Sequence, residues 1–173
     1  MIQQLIILGI LQESKTHGYR LNEYVNHAMD LYTDIKKSKV YYTLDKLEKD
    51  GCVEHETERE GKRPERRVYQ ITKKGKAIFL QLLRDNLGEF ARANFNDDIG
   101  IAFMDQLSTE ETRELLEKKR GMIQSTLKQF KEVSDHGGNW RYVINHNVAH
   151  LEADLTWINN MISELIKKGD ERL

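Results

Sequence analysis

The sequence leaves the helical hydrophobic period for one short stretch, and that interruption constrains the fold more than any other feature. Up to Lys49 the apolar residues stand mostly three or four apart, as helices require; from Cys52 to Thr72 they alternate with polar ones, as strands require. Residues 2–13 are too densely apolar for a single stripe, which predicts a short helix buried on most sides. Thr16-His17-Gly18 reads as a break, and Tyr19–Met29 as a second helix with Leu21, Tyr24, Val25 and Ala28 on one side. Ser38 can cap a third helix, in which Val40, Tyr41, Leu44 and Leu47 keep the spacing and Gly51 supplies the stop. Cys52–Arg59 and Arg66–Thr72 then flank Glu60-Gly61-Lys62-Arg63-Pro64-Glu65, which holds the sole proline and predicts a loop between two short strands. Thr72 caps a further helical segment, about Lys73–Ala93.

The second half is helical throughout. Ser108-Thr109-Glu110-Glu111 has the capping-box pattern, and a helix to about Ser134 follows from it. After a turn at Asp135–Asn139, a last helix of about Trp140–Lys168 carries Ile144, Val148, Leu151, Leu155, Ile158, Ile162 and Leu165 at alternating spacings of 4 and 3. Such a seam packs knobs-into-holes against another helix. Its occupant is either the preceding helix, through Leu116, Ile123, Leu127 and Phe130, or a second copy of the chain. Two helices rarely satisfy a whole domain, so these seven residues are expected to contribute to a homodimer. The fold class is therefore mainly α, divided as 1–76, a linking helix 77–97, and a helical domain 98–173.

Three helices followed by a two-stranded hairpin is the winged helix-turn-helix order, in which the third helix enters the major groove of DNA and the hairpin loop grips the backbone. The net charge of −1 conceals a division that suits this job. Residues 36–76 hold 13 basic and 8 acidic residues, whereas residues 86–173 hold 11 and 15. Lys36, Lys37, Ser38 and Lys39 cluster at the start of the third helix, where the helix N-terminus favours phosphate; Tyr41, Tyr42 and Lys46 follow on its first turns. Lys62, Arg63, Arg66 and Arg67 crowd around Pro64 in the hairpin. The plainer alternative makes Tyr41 a core residue and the lysines solvation of a helix end.

The run Ser38-x-Val40-Tyr41-x-x-Leu44-x-x-Leu47-x-x-x-Gly51, then Gly61, then Arg67-x-Tyr69-x-Ile71-Thr72-x-x-Gly75, resembles the PadR family of bacterial transcriptional regulators. Leu8-Gly9-Ile10-Leu11 and His17-Gly18-Tyr19 also match, and the likeness continues more weakly through Asp98–Met104 and Tyr142–Leu165, as in the longer-tailed PadR subgroup. The resemblance implies a homodimeric repressor on an inverted-repeat, double-stranded operator, with Ser38, Tyr41 and the residues between them facing DNA from the third helix and Lys62 and Arg63 from the wing; Tyr19 is counted with these DNA-binding residues. Lys39 and Tyr42 depart from the family's usual residues at base-facing positions, so the operator sequence is not carried over. The resemblance also implies a small aromatic effector. Phe103, Trp140, Arg141, Tyr142 and His146 offer aromatic faces and a cation for such a molecule; ordinary helix packing is the alternative.

Other classes find little support. A chain of 173 residues can bury a core without disulfides or a structural metal, and the lone Cys52 cannot bridge within the chain; it reads as a core thiol or, less simply, a redox sensor. A cytoplasmic location is expected. The longest apolar run, Leu5–Leu11, is far shorter than the ~20 residues of a membrane span and lacks the basic leader of a signal peptide. His146-Asn147-Val148-Ala149-His150 has the zinc-protease spacing, but Asn147 stands where the water-activating Glu belongs. No enzymatic activity, cofactor, metal or membrane partner is expected. A protein–protein winged-helix module, its basic wing meeting an acidic partner, is the rival from another class.

Overall fold

The computed structural model describes residues 1–27, 37–59, 65–90, 92, 95, 97–132 and 138–170, with side chains excepted at 26, 27, 37, 38 and 168–170. The chain forms two compact units, Met1–Arg92 and Ala93–Leu173. In the first, helix α1 (Ile2–Glu13) precedes a two-residue strand β1 (Thr16–His17), helix α2 (Gly18–His27), helix α3 (Lys37–Lys49), strands β2 (Val53–Glu58) and β3 (Arg66–Ile71), and helix α4 (Lys73–Gly88). The predicted break at Thr16-His17 is thus a strand. It pairs antiparallel with β3, Thr16 opposite Tyr69 and His17 opposite Val68, giving the sheet order β1-β3-β2. Two residues are too few for an alternating pattern to show. Val68 and Tyr69, adjacent on the central strand β3 and so on its opposite faces, are both buried.

One core explains the spacing of the helices. Ile7, Leu8 and Leu11 of α1, Leu21 and Val25 of α2, and Val40, Leu44 and Leu47 of α3 meet Cys52, Val53 and Tyr69, with Phe79 and Leu82 of α4 packed alongside. Cys52 is therefore a core thiol. Tyr24 departs from expectation: it is 43% exposed, whereas Leu21, Asn22 and Val25 are the buried residues of α2 around it. Ala28 lies outside the described residues. Tyr41 leaves the core as well, its ring exposed beside the buried Val40 and Leu44.

The corner after α3 follows from sequence closely. Gly51 has φ of +68°, its N–H bonds the Glu48 carbonyl and the Cys52 N–H bonds the Leu47 carbonyl at 2.8 Å, the paired bonds of a Schellman stop. The start of α4 is pinned onto this corner. Thr72 accepts a bond from the Gly75 N–H at 3.0 Å, as its cap role predicts, and its hydroxyl donates to the Gly51 carbonyl at 2.8 Å. A Cβ on Gly75 would lie 2.0 Å from the Cys52 carbonyl oxygen, so only glycine allows this approach. Helix α3 starts at Lys37, which puts Ser38 inside its first turn instead of at the cap. Helix α4 stops at Gly88, short of Ala93, where Glu89 turns extended (φ −88°, ψ 130°) after the poor helix formers Asp85, Asn86 and Gly88.

The second unit holds a short helix α5 (Asp98–Ala102), a 3₁₀ turn (Met104–Gln106), and the long helices α6 (Thr109–Glu132) and α7 (Trp140–Asp170). Ser108 caps α6, accepting from the Glu111 N–H at 3.2 Å. Helices α6 and α7 form an antiparallel pair: Leu116, Ile158 and Ile162 make its core with Ile123, Met161 and Leu165, and Lys131 bonds Glu152 at 2.7 Å across it. Within one chain, then, the seam meets α6. Ile158 and Ile162 are fully enclosed there, at 0% and 4% exposure, which removes them from any surface open to a second chain. Ile144, Val148, Leu151, Leu155 and Leu165 stay half-buried. Among the described residues no helix is long and apolar enough to cross a membrane.

Candidate nucleic-acid interface

The exposed side of α3 and the central strand β3 come together through β1. Pairing of Thr16 and His17 with β3 delivers the chain to Gly18 at the sheet edge, so α2 begins beside Arg66–Tyr69. Gly18 permits this closeness: a Cβ there would stand 3.2 Å from the Tyr69 ring and 3.5 Å from that of Tyr41. The result is a surface concavity of about 390 Å³ lined by Gly18, Tyr19, Tyr41, Asp45, Arg66, Arg67 and Tyr69. Tyr19 stacks on His17 with ring centres 5.4 Å apart, and the Arg66 guanidinium lies 5.6 Å from the Tyr19 ring centre. Arg67 is held further into its charged form by a hydrogen bond to the Tyr69 hydroxyl, with Glu48 and Asp45 adding attraction.

Lys39, Tyr42 and Lys46 project from the same helix, Tyr42 at 71% exposure. Their positions are locked from below: Val40, Leu44 and Leu47 are buried on the opposite side, and the Thr43 hydroxyl donates to the Lys39 carbonyl at 2.7 Å. The helix is also tied to β2, where His55 Nδ1 pairs with Glu48 and the His55 ring lies 5.6 Å from that of Tyr69. Of the predicted DNA-facing residues, Tyr19, Lys39, Tyr41, Tyr42, Lys46 and Arg66 are exposed on this unit. The side chains of Lys37 and Ser38 are not described, and Lys36, Lys62 and Arg63 lie outside the described residues. Gly18, Asp45 and Tyr69 complete the lining; Gly18 and Tyr69 stand in the PadR-like motifs, but it is the pairing of β1 with β3 that joins them.

In the second unit the five residues expected to hold an effector do not converge. Phe103 sits just before α6, where the Thr112 hydroxyl bonds the Met104 carbonyl at 3.4 Å, whereas Trp140 follows the far end of that helix. The 24 residues of α6 span about 36 Å, more than one small-molecule site bridges within a protomer. Arg141 folds onto its neighbour, bonding the Tyr142 hydroxyl at 2.7 Å, and His146 pairs with His150, Nε2 to Nε2, at 3.1 Å. No group of three or more His, Cys, Asp or Glu able to share a metal occurs among the described residues. A cavity of about 350 Å³ lies elsewhere, lined by Phe95, Asp97, Asp98, Lys119, Ile123, Asp154 and Trp157. No local motif marks it, because its residues come from three separate segments.

Three helices, a β-hairpin and an exposed cationic, aromatic face on the third helix define a winged helix-turn-helix protein. Residues 7–81 match the model of the transcriptional regulator PadR-like family. The negative transcriptional regulator PadR of Bacillus subtilis is 30% identical over 70 residues, 40% of this chain and 38% of that protein's length. The crystal structure of B. subtilis PadR with operator DNA superposes with a TM-score of 0.81 at 19% identity, covering 95% of this chain and 99% of that one. The same protein with p-coumaric acid gives 0.76 at 18% identity, covering 95% and 99%. These superpositions extend the likeness of fold through the helical tail. Over residues 7–81, less than half of its length, the chain is similar to the PadR-like family of transcriptional regulators.

Proposed function

We propose that the protein is a cytoplasmic, non-enzymatic repressor that binds an inverted-repeat operator as a homodimer and releases it in response to a small aromatic effector. The observation that carries this reading is the joint exposure of Tyr19, the outer side of α3 and Arg66 around one concavity. In the proposed complex α3 lies in the major groove with Lys39, Tyr41, Tyr42 and Lys46 toward the duplex. Arg66 and the loop residues Lys62 and Arg63 grip phosphates, which fixes orientation without reading sequence. Support from the relatives is that B. subtilis PadR is named a negative regulator and has been crystallised with operator DNA and with p-coumaric acid.

Dimerisation has its own support. Large apolar side chains are exposed in the second unit, among them Ile99, Phe103, Leu115, Met122 and Ile166, and a partner chain would cover such surface. The half-buried seam residues Ile144, Val148, Leu151, Leu155 and Leu165 are the proposed contributors from α7. Two recognition helices held about 34 Å apart would then match successive turns of the groove. For the effector, the cavity lined by Phe95 and Trp157 replaces the dispersed set first expected.

Salt titration with duplex DNA from the protein's own promoter region tests the reading. Nanomolar binding should weaken steeply with salt, and Arg66→Ala, removing two phosphate contacts per dimer, should flatten the log–log slope by about 1.8. Absence of nanomolar binding by a normally dimeric protein refutes the DNA role and leaves the protein-docking alternative.

A further inference from the structure

The charge around the tail cavity determines what kind of aromatic molecule it accepts. Its volume of about 350 Å³ falls in the range of small-molecule sites, and it is walled by two rings, Phe95 and Trp157, that are 53% and 39% exposed. Asp97, Asp98 and Asp154 line it against one cation, Lys119, for a formal charge of −2. That cation is already engaged: the Lys119 ammonium pairs with Asp97 and lies 5.3 Å from the centre of the Trp157 ring. Asp98 and Asp154 have no ion-pair partner among the described residues.

We infer that this cavity takes an aromatic cation, a ring bearing an amine or quaternary ammonium, and rejects an aromatic carboxylate. The inference deepens the effector reading above, on which its regulatory consequence rests. An incoming carboxylate meets two uncompensated carboxylates in a half-enclosed site, and the single ammonium that could receive it is held by Asp97. An incoming ammonium gains both Asp98 and Asp154, and the indole face beside Lys119 is already oriented toward positive charge. The selectivity is thus mostly repulsive, built against the wrong sign of ligand. It separates this chain from the relative crystallised with p-coumaric acid, with which it shares the fold at 18% identity.

The experiment is calorimetric titration of the full-length protein with 3-phenylpropylamine and 3-phenylpropionate, one ring and chain carrying opposite charges, with p-coumarate alongside. The amine should bind at least about tenfold more tightly than either acid, a difference of ~1.4 kcal/mol. Asp98→Asn and Asp154→Asn should each narrow the ratio. Operator release is then measured with the same compounds. Acid binding equal to or tighter than amine binding overturns the inference; if that acid also releases the operator, the effector reading survives without it. Amine binding that leaves the operator bound upholds the ligand class and sinks the effector reading. An amine preference unchanged by both Asn variants, or no binding by any of the three compounds, overturns the assignment of the ligand to this cavity.

Discussion

Replacing Gly75 with alanine sets two physical effects against each other. Gly75 lies in the first turn of α4, and helix propensity alone makes Gly→Ala favourable by up to about 1 kcal/mol. Packing opposes it. The new Cβ would be 2.0 Å from the Cys52 carbonyl oxygen, 1.4 Å short of the 3.4 Å at which ordinary contact begins, and 2.7 Å from Ile71 Cγ1. The oxygen cannot simply swing aside, because it accepts from the Thr72 N–H at 3.0 Å. Opening the gap therefore loosens that bond, worth about 1 kcal/mol, on top of the ~1–3 kcal/mol of overpacking. Net of the propensity gain, the expected destabilisation is about 1–3 kcal/mol. In urea, with a slope near 1–2 kcal/mol per M, that moves the midpoint of the first unit down by about 0.5–3 M. Both tryptophans, Trp140 and Trp157, belong to the second unit, so far-UV circular dichroism follows the change while tryptophan fluorescence monitors the tail. A midpoint that stays put or rises would mean that propensity governs this position and that the α4–corner contact yields at little cost.

Two further expectations concern the tail. Ile158→Asp should unfold the α6–α7 pair, since its side chain is wholly enclosed within one chain, whereas Leu155→Asp, half-buried, should keep helix content and split the dimer. Sedimentation showing Leu155→Asp still dimeric would remove this residue from the interface. At the start of α6, the bond from Arg113 holds the Glu110 carboxyl below the usual carboxylate range. Because the folded value is the lower one, its contribution is present above the ordinary carboxylate pKa and fades as pH falls through the folded value. Glu110→Gln should make amide exchange across Glu111–Glu114 less sensitive to acid; unchanged sensitivity would show that the pair does not hold the helix end.

Where a residue's role was set by its chain neighbours, it was legible in advance. Thr72 reads as a cap and caps; Gly51 reads as a stop and takes positive φ; the alternation around residues 60–65 reads as a hairpin and Val53–Glu58 pairs with Arg66–Ile71. Errors fell where the partner is distant in sequence. Thr16-His17 is a strand only because β3 lies beside it, and Tyr24 stays exposed where Leu21, Asn22 and Val25 are the buried residues of α2. Phe103 and the aromatic and cationic residues at the start of the last helix suit one effector by their chemistry, but the length of α6 separates Phe103 from Trp140.

The amino-acid sequence by itself determined the order of elements, the likeness of residues 7–81 to the PadR-like family, and the uneven charge that puts cations on the third helix and hairpin. Those properties are local: hydrophobic period, capping groups and charge depend on residues a few positions apart. Only the tertiary structure decided that Ile158 and Ile162 are spent inside one chain, that Gly18 brings Tyr19 and Tyr41 to Arg66, and that three aspartates surround the aromatic tail cavity. Burial and ligand selectivity are sums over atoms brought together from distant segments, and a periodic seam reads the same whichever helix fills it.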